Sequence, residues 1–241
     1  GEAFGSFVTN VPIVIAWQAF FMFVTIYIIY KGIGEGIEKY CRILMPSLFV
    51  VLLILIVRAV TLPGAGAGIA YYLKPDFSKL TGGAFGAALG QAFFSLSLGM
   101  GCMITYGSYV GKKETLPGAA FQVCFLDTAV AFLAGLVIFP AVFAFGIEPG
   151  AGAGLTFITL PNVFGKMPGG MIWSALFFVL LFVAALTSAI SLLEVVAAYF
   201  IDEMKWSRTK AAWVMGFCIF LLGIPSVLGV AGKLPTLAGR D

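Results

Sequence analysis

The chain has 241 residues, of which 61% are hydrophobic and 10% charged, and its mean hydropathy is +1.07. That composition excludes an ordinary soluble domain and fits a polytopic membrane protein. A net charge of +3, with the basic residues scattered between apolar runs, gives no footprint for a nucleic-acid partner. There is no histidine, which removes imidazole metal ligation and histidine general-base catalysis. Cys41, Cys102, Cys124 and Cys218 are widely spaced without a CxxC pair, and read as buried small apolar residues rather than disulfide partners or metal ligands.

At about 20 residues per crossing there is room for about six spans in a single transmembrane domain, 1–241. The first is 11–30, uncharged. KGIGEGIEKYCR (31–42) reads as a short charged amphipathic loop. The second span, 43–62, has Arg58 near its far end, where it can snorkel to the interface. Pro46 follows Gly36 by ten residues, a pair that either eases unwinding at the start of this span or simply kinks it. Two near-identical glycine runs, 63–68 and 149–154, lack the GK[ST] ending of a phosphate loop and read as flexible loop segments. The third span is 83–110. Lys112, Lys113 and Glu114 separate it from the fourth, 117–146, which carries a lone Asp127. FITLP (157–161) is too apolar for a freely solvated loop and is expected to pack back on the protein. The fifth span, 167–201, carries Thr187, Ser188 and Glu194; the sixth is 211–232. Alternate loops hold eight Lys and Arg against three, which places loops 31–42, 112–113 and 205–210 in the cytoplasm. The N-terminus is then outside. The chain begins at Gly1 without a start methionine and stops at Arg240 and Asp241 just beyond an apolar span, so a piece of a longer protein is expected.

The third span stands apart. The uncharged run 81–111 would reach roughly 46 Å as a straight helix, well beyond a hydrocarbon core of about 30 Å. At its middle is SLSLGMG (95–101), with two hydroxyls and two glycines where a plain span carries Leu and Ile. Glycine lets backbone leave helical geometry, and bare backbone at membrane depth is tolerated only in protein or beside a cavity. Two readings fit. One is a helix broken to present its backbone to a ligand; the other is a long tilted helix with small residues for close packing.

Intramembrane polar groups are costly and usually face a cavity or a partner. Ser95, Ser97 and the backbone of 99–101 form one group, Asp127 a second, and Thr187, Ser188 and Glu194 a third. Hydroxyls, carbonyls and a carboxylate are hard oxygen ligands, suited to an alkali or alkaline-earth cation. A half-helix starting near Gly101 would turn its positive dipole end into the break, a place for a substrate carboxylate. Together these describe a secondary transporter. The plainer alternatives are that Thr187 and Ser188 bond to carbonyls one turn back, and that Glu194 bonds to a neighbouring helix.

The stretches KGIGEGIEKYCRILMPSLF, QAFFSLSLGMGCMITYGSYV, LTFITLP and ALTSAISLLEVVAAYFIDE, in this order and spacing, resemble the neurotransmitter:sodium symporter family, particularly its prokaryotic amino-acid transporters with the leucine-transporter fold. The likeness covers family helices 4 to 9. It implies an all-α inverted-repeat fold in which helices 1–3 and the C-terminal helices of the same protein are missing, along with the part of the site that helix 1 supplies. It also implies that Phe94 is an aromatic lid over the substrate, with Gln91 in the external gate. Ser95 would bind the first sodium; Ser97, Gly99 and Met100 would contact the amino acid. Ala184, Thr187 and Ser188 would hold the second sodium, with Ser188 and Leu192 near the substrate. Tyr109 and Asp202 would belong to the cytoplasmic gate, and Gly36 and Pro46 to a motif for unwinding helix 5. Asp127 stands where relatives often have an Asn at the first sodium, and its charge could replace the chloride that animal members need.

The expected activity is sodium-coupled symport of a hydrophobic or aromatic amino acid across the plasma (inner) membrane by alternating access. Na+ would be the co-transported ion, with no organic cofactor and no enzymatic activity. The partners would be the amino acid and the lipid bilayer. A proton-coupled solute carrier or a non-transporting homologue of the same fold is the alternative. A channel fits poorly with polar groups confined to mid-span breaks, and an intramembrane hydrolase lacks a nucleophile–base pair.

Overall fold

Apolar sequence at membrane depth must satisfy its backbone internally, which favours helices. A computed structural model describes residues 2–74, 76–111, 114–146, 156–157, 160–165 and 167–232. The second glycine run (149–154), the 112–113 lysine pair, part of the 155–161 stretch and the last nine residues lie outside the described residues. Among those described there are ten α-helices and no strand: α1 Glu2–Thr9, α2 Val11–Tyr30, α3 Lys39–Val60, α4 Ala65–Leu73, α5 Gly82–Ser95, α6 Cys102–Tyr109, α7 Leu116–Ala144, α8 Leu160–Gly165, α9 Gly170–Asp202 and α10 Arg208–Val230. By length and composition α2, the stretch 33–60, α7, α9 and α10 could each cross a membrane. The crossing expected at 83–110 is divided between α5 and α6.

Two segments differ from their sequence reading. Ile33–Glu38 is a π-helical turn running directly into α3, where a charged loop was expected. Gly36 permits it: a Cβ there would overlap the Ile28 carbonyl, so only glycine lets this turn pack on the end of α2. The run 63–68 is not a flexible loop. Gly64 takes a left-handed φ of +88° and caps α4, which starts at Ala65. A Cβ on Gly68 would strike the Phe139 carbonyl and the Pro140 backbone, so the small residues serve close approach of α4 to α7. Both misreadings have one cause, since glycine's role there depends on a partner distant in sequence.

The chain divides into two compact units, 1–44 with 184–241, and 45–183. In the first, α2 packs along α10. Gly216 admits the Ile26 side chain and Gly223 admits Gln18, whose Nε2 donates to the Phe220 carbonyl at 3.1 Å. Ser207 caps α10 by accepting from the Lys210 amide at 3.3 Å. In the second unit the core is built from α3, α4, α7, α8 and the start of α9, with Leu52, Leu55, Val142, Val163 and Phe164 almost fully buried. Leu160 is buried here too, so this end of the apolar 157–161 stretch does pack back on the protein. Gly135 leaves room for the ring of Tyr72, which stacks on Phe139 and donates to the Phe132 carbonyl at 3.2 Å. None of the four cysteines is in a disulfide; Cys102 is buried, whereas Cys124 and Cys218 are exposed rather than buried.

Gly68→Val is expected to lower stability by about 1–3 kcal/mol through backbone overlap. Gly66→Ala, at a helical position facing open space, should be neutral or stabilise by up to about 1 kcal/mol. Thermal unfolding of the purified protein in detergent measures both.

Candidate functional site

The third span is broken. α5 ends at Ser95 in a paired C-terminal cap, with Ser97 N–H donating to the Phe94 carbonyl at 3.1 Å and Leu98 N–H to the Phe93 carbonyl at 2.9 Å. Ser97 (φ +54°), Gly99 (+83°) and Gly101 (+82°) then take left-handed conformations that an α-helix cannot contain. Two of the three are glycine, as sterics favour, while Ser97 holds a conformation costing roughly 1–2 kcal/mol. Gly101, which has no side chain to offer, is the N-cap of α6. The long-tilted-helix alternative is thereby set aside.

Beside the break, Ser95 Oγ lies 2.8 Å from each carboxylate oxygen of Asp127 on α7. One hydroxyl proton shared between two oxygens fills only part of the carboxylate's roughly four acceptor positions. Both residues are half-buried. The pair joins residues 32 apart in sequence. Hydroxyl and carboxylate oxygens are hard donors of the type that suits a small cation.

On α9, Thr187 Oγ1 and Ser188 Oγ both donate to the Ala184 carbonyl, at 3.0 and 3.1 Å. Three oxygens thus gather on one helical turn, in the turn-back bonding that membrane hydroxyls adopt. The two faces of α9 differ. Leu186, Thr187, Ile190, Leu193, Glu194 and Ala197 form a buried stripe, while Ser188 and Leu192, four apart, share an exposed face. Glu194 is fully buried and accepts from Arg208 Nη2 at 2.6 Å. The neighbouring-helix reading of Glu194 therefore holds. Its partner was missed because an arginine opening the next span resembles any interfacial charge.

The remaining expected site residues are placed as follows. Gln91 and Phe94 are exposed on α5; Ser97, Gly99 and Met100 form the break itself. Tyr109 ends α6 with its ring edge-on to Tyr106, and Asp202 ends α9, the first in one unit and the second in the other. Gly36 lies in the π turn and Pro46 inside α3, where it has no amide to give the Arg42 carbonyl. Ser95 and Asp127 meet within one unit; Ala184, Thr187 and Ser188 meet within the other.

A helical chain with several membrane-length spans, one of them interrupted beside a carboxylate, defines a polytopic membrane protein of the broken-helix class. Residues 8–234 match the sodium:neurotransmitter symporter family. The chain is 46% identical over 217 residues to an uncharacterized sodium-dependent transporter of Haemophilus influenzae, covering 90% of this chain and 48% of that protein. It is 40% identical over 228 residues to the uncharacterized sodium-dependent transporter YhdH of Bacillus subtilis, covering 95% and 51%. Its fold matches the crystal structure of MhsT in complex with L-phenylalanine at a TM-score of 0.87 and 49% identity, covering 99% of this chain and 55% of MhsT. The chain belongs to the sodium:neurotransmitter symporter family, a family of transporters, and has the all-α leucine-transporter-type fold. It spans about half the length of the relatives it matches.

The Ser95–Asp127 contact is expected to be energetically coupled. A double-mutant cycle of Ser95→Ala and Asp127→Ala, read by thermal unfolding, should give a coupling of about 1–3 kcal/mol, as hydrogen bonds to charged groups do. Additivity within about 0.5 kcal/mol would mean that the contact contributes nothing.

Proposed function

We propose that this chain supplies part of a sodium-coupled symporter for a hydrophobic or aromatic amino acid in the plasma (inner) membrane, working with further spans of the kind its longer relatives contain. The observation that carries this reading is the break at 96–101 with the Ser95–Asp127 pair beside it. The family membership and the likeness to a structure holding L-phenylalanine support it.

In this reading Ser95 and Asp127 hold a first sodium, and Ala184, Thr187 and Ser188 a second. The amino acid lies against Ser95, Ser97, Gly99, Met100, Ser188 and Leu192. Its carboxylate faces the amides at the start of α6, where the helix dipole favours negative charge. Phe94 closes over it, and Met100 adapts its flexible side chain to a large substrate. Gln91 belongs to the outer gate, Tyr109 and Asp202 to the cytoplasmic gate. Gly36 and Pro46 let the stretch 33–60 unwind towards the second sodium. Sodium and amino acid are both cargo; each favours the occluded state by its differential affinity for it, and their release inward completes alternating access.

Asp127 brings a fixed negative charge to the first sodium. Asp127→Asn should weaken sodium's apparent affinity about ten-fold or more and make uptake respond to chloride. Intact affinity with chloride-independent uptake would remove Asp127 from the ion site. The whole reading is tested by uptake of radiolabelled tryptophan and leucine into proteoliposomes holding the full-length transporter, with an inward sodium gradient against a potassium control. Saturable sodium-dependent uptake, weakened by Ser188→Ala, is expected. Equal uptake in sodium and potassium would refute sodium coupling.

A further inference from the structure

Glu194 has no exposed surface, and a buried carboxylate requires a hydrogen-bonded cation close by. Arg208, the first residue of α10, donates to it through Nη2 at 2.6 Å. The same guanidinium donates through Nε to the Ile29 carbonyl, in the last turn of α2, at 2.9 Å. That carbonyl also accepts from the Gly32 amide at 3.0 Å, and the Gly32 carbonyl in turn accepts from Gly36 and Ile37 at 3.1 and 3.0 Å. One planar fork thus ties α9, α10 and the corner at which α2 passes into the π turn, all within one compact unit.

What it ties down is weak on its own. The turn Ile33–Glu38 carries i→i+5 bonding, which is rare and frequently found at functional sites, and Gly32, Gly34 and Gly36 fall within five residues. Glycine costs helical order, and neither Gly32 nor Gly34 has a neighbour that a Cβ would touch. Glu194 also lies two helical turns from Thr187 on the same buried stripe of α9. A shift of that stripe moves the carboxylate, and through Arg208 it pulls on the corner.

We propose that Glu194 and Arg208 form a latch in which Glu194 is a positioning residue: the pair orients the guanidinium so that its Nε holds the α2 corner, and release of that bond lets residues 32–38 open. The proposal deepens the transport reading and rests on it for the latch's place in the cycle. The latch itself is local and can be measured without a transported solute.

Arg208→Lys keeps a cation for Glu194 but cannot offer the second, rigidly placed donor to Ile29. Hydrogen–deuterium exchange of the full-length transporter should then show residues 32–38 exchanging about ten-fold faster, the loss expected for one charge-assisted hydrogen bond. Exchange across the α2–α10 contact at residues 18–26 should not change. Glu194→Gln, which leaves the guanidinium without its anion, should act in the same direction. Equilibrium amino-acid binding in sodium should stay within about two-fold, while turnover changes. Unaltered exchange at 32–38, or a rise spread evenly over the unit, would overturn the latch. Absence of sodium-driven uptake in the unmodified transporter would instead overturn the transport reading, with the exchange result still deciding the latch.

Discussion

Backbone amides and carbonyls at membrane depth cannot be left to lipid, and every other feature of the site follows from how the chain meets that constraint between Ser95 and Cys102. The helix stops, three residues turn left-handed, and a second short helix starts. Such a break persists only if its exposed groups find partners. On this chain the Asp127 carboxylate takes the Ser95 hydroxyl, and the Phe94 and Phe93 carbonyls take the Ser97 and Leu98 amides. In the proposed reading a transported ion and an amino acid would supply further ones.

The rest of the chain reads as support for that break and for the hydroxyl turn on α9. Small residues repeatedly substitute space for side chain where backbones approach. Gly68 does so against α7, Gly36 against the end of α2, and Gly216 and Gly223 between α2 and α10. Without a hydrophobic driving force between helices in lipid, association relies on this kind of close packing and on polar ties. The Glu194–Arg208–Ile29 bonds and the Gln18–Phe220 bond are such ties, each joining different helices of one unit.

Much of this was legible in the sequence, for stated reasons. SLSLGMG singled the span out, since it puts hydroxyls and glycines in a run too long for one span, but it left a tilted helix open until the positive φ of Ser97, Gly99 and Gly101 decided for the break. The all-helical membrane fold followed from composition and from uncharged runs of membrane length. Long-range partnership was not legible. Asp127 stood out as a lone carboxylate, but nothing local names a serine 32 residues earlier as its partner. Glu194 admitted two readings until Arg208 was seen beside it. The glycines at 64–68 looked like flexible loop because a sequence does not show the Phe139 carbonyl that a side chain would strike. The charged stretch 31–42 hid a π turn for the same reason, its packing surface lying on Ile28.

The central claim is that the break is a ligand surface whose use requires sodium. Its most direct test is equilibrium binding of a radiolabelled hydrophobic amino acid to the purified full-length transporter, in sodium and in potassium, with and without Gly99→Ala. The account predicts saturable binding in sodium only, weakened about ten-fold or more by an alanine forced to a φ near +83°. Binding that is equal in the two salts, or indifferent to the substitution in a folded protein, would contradict it.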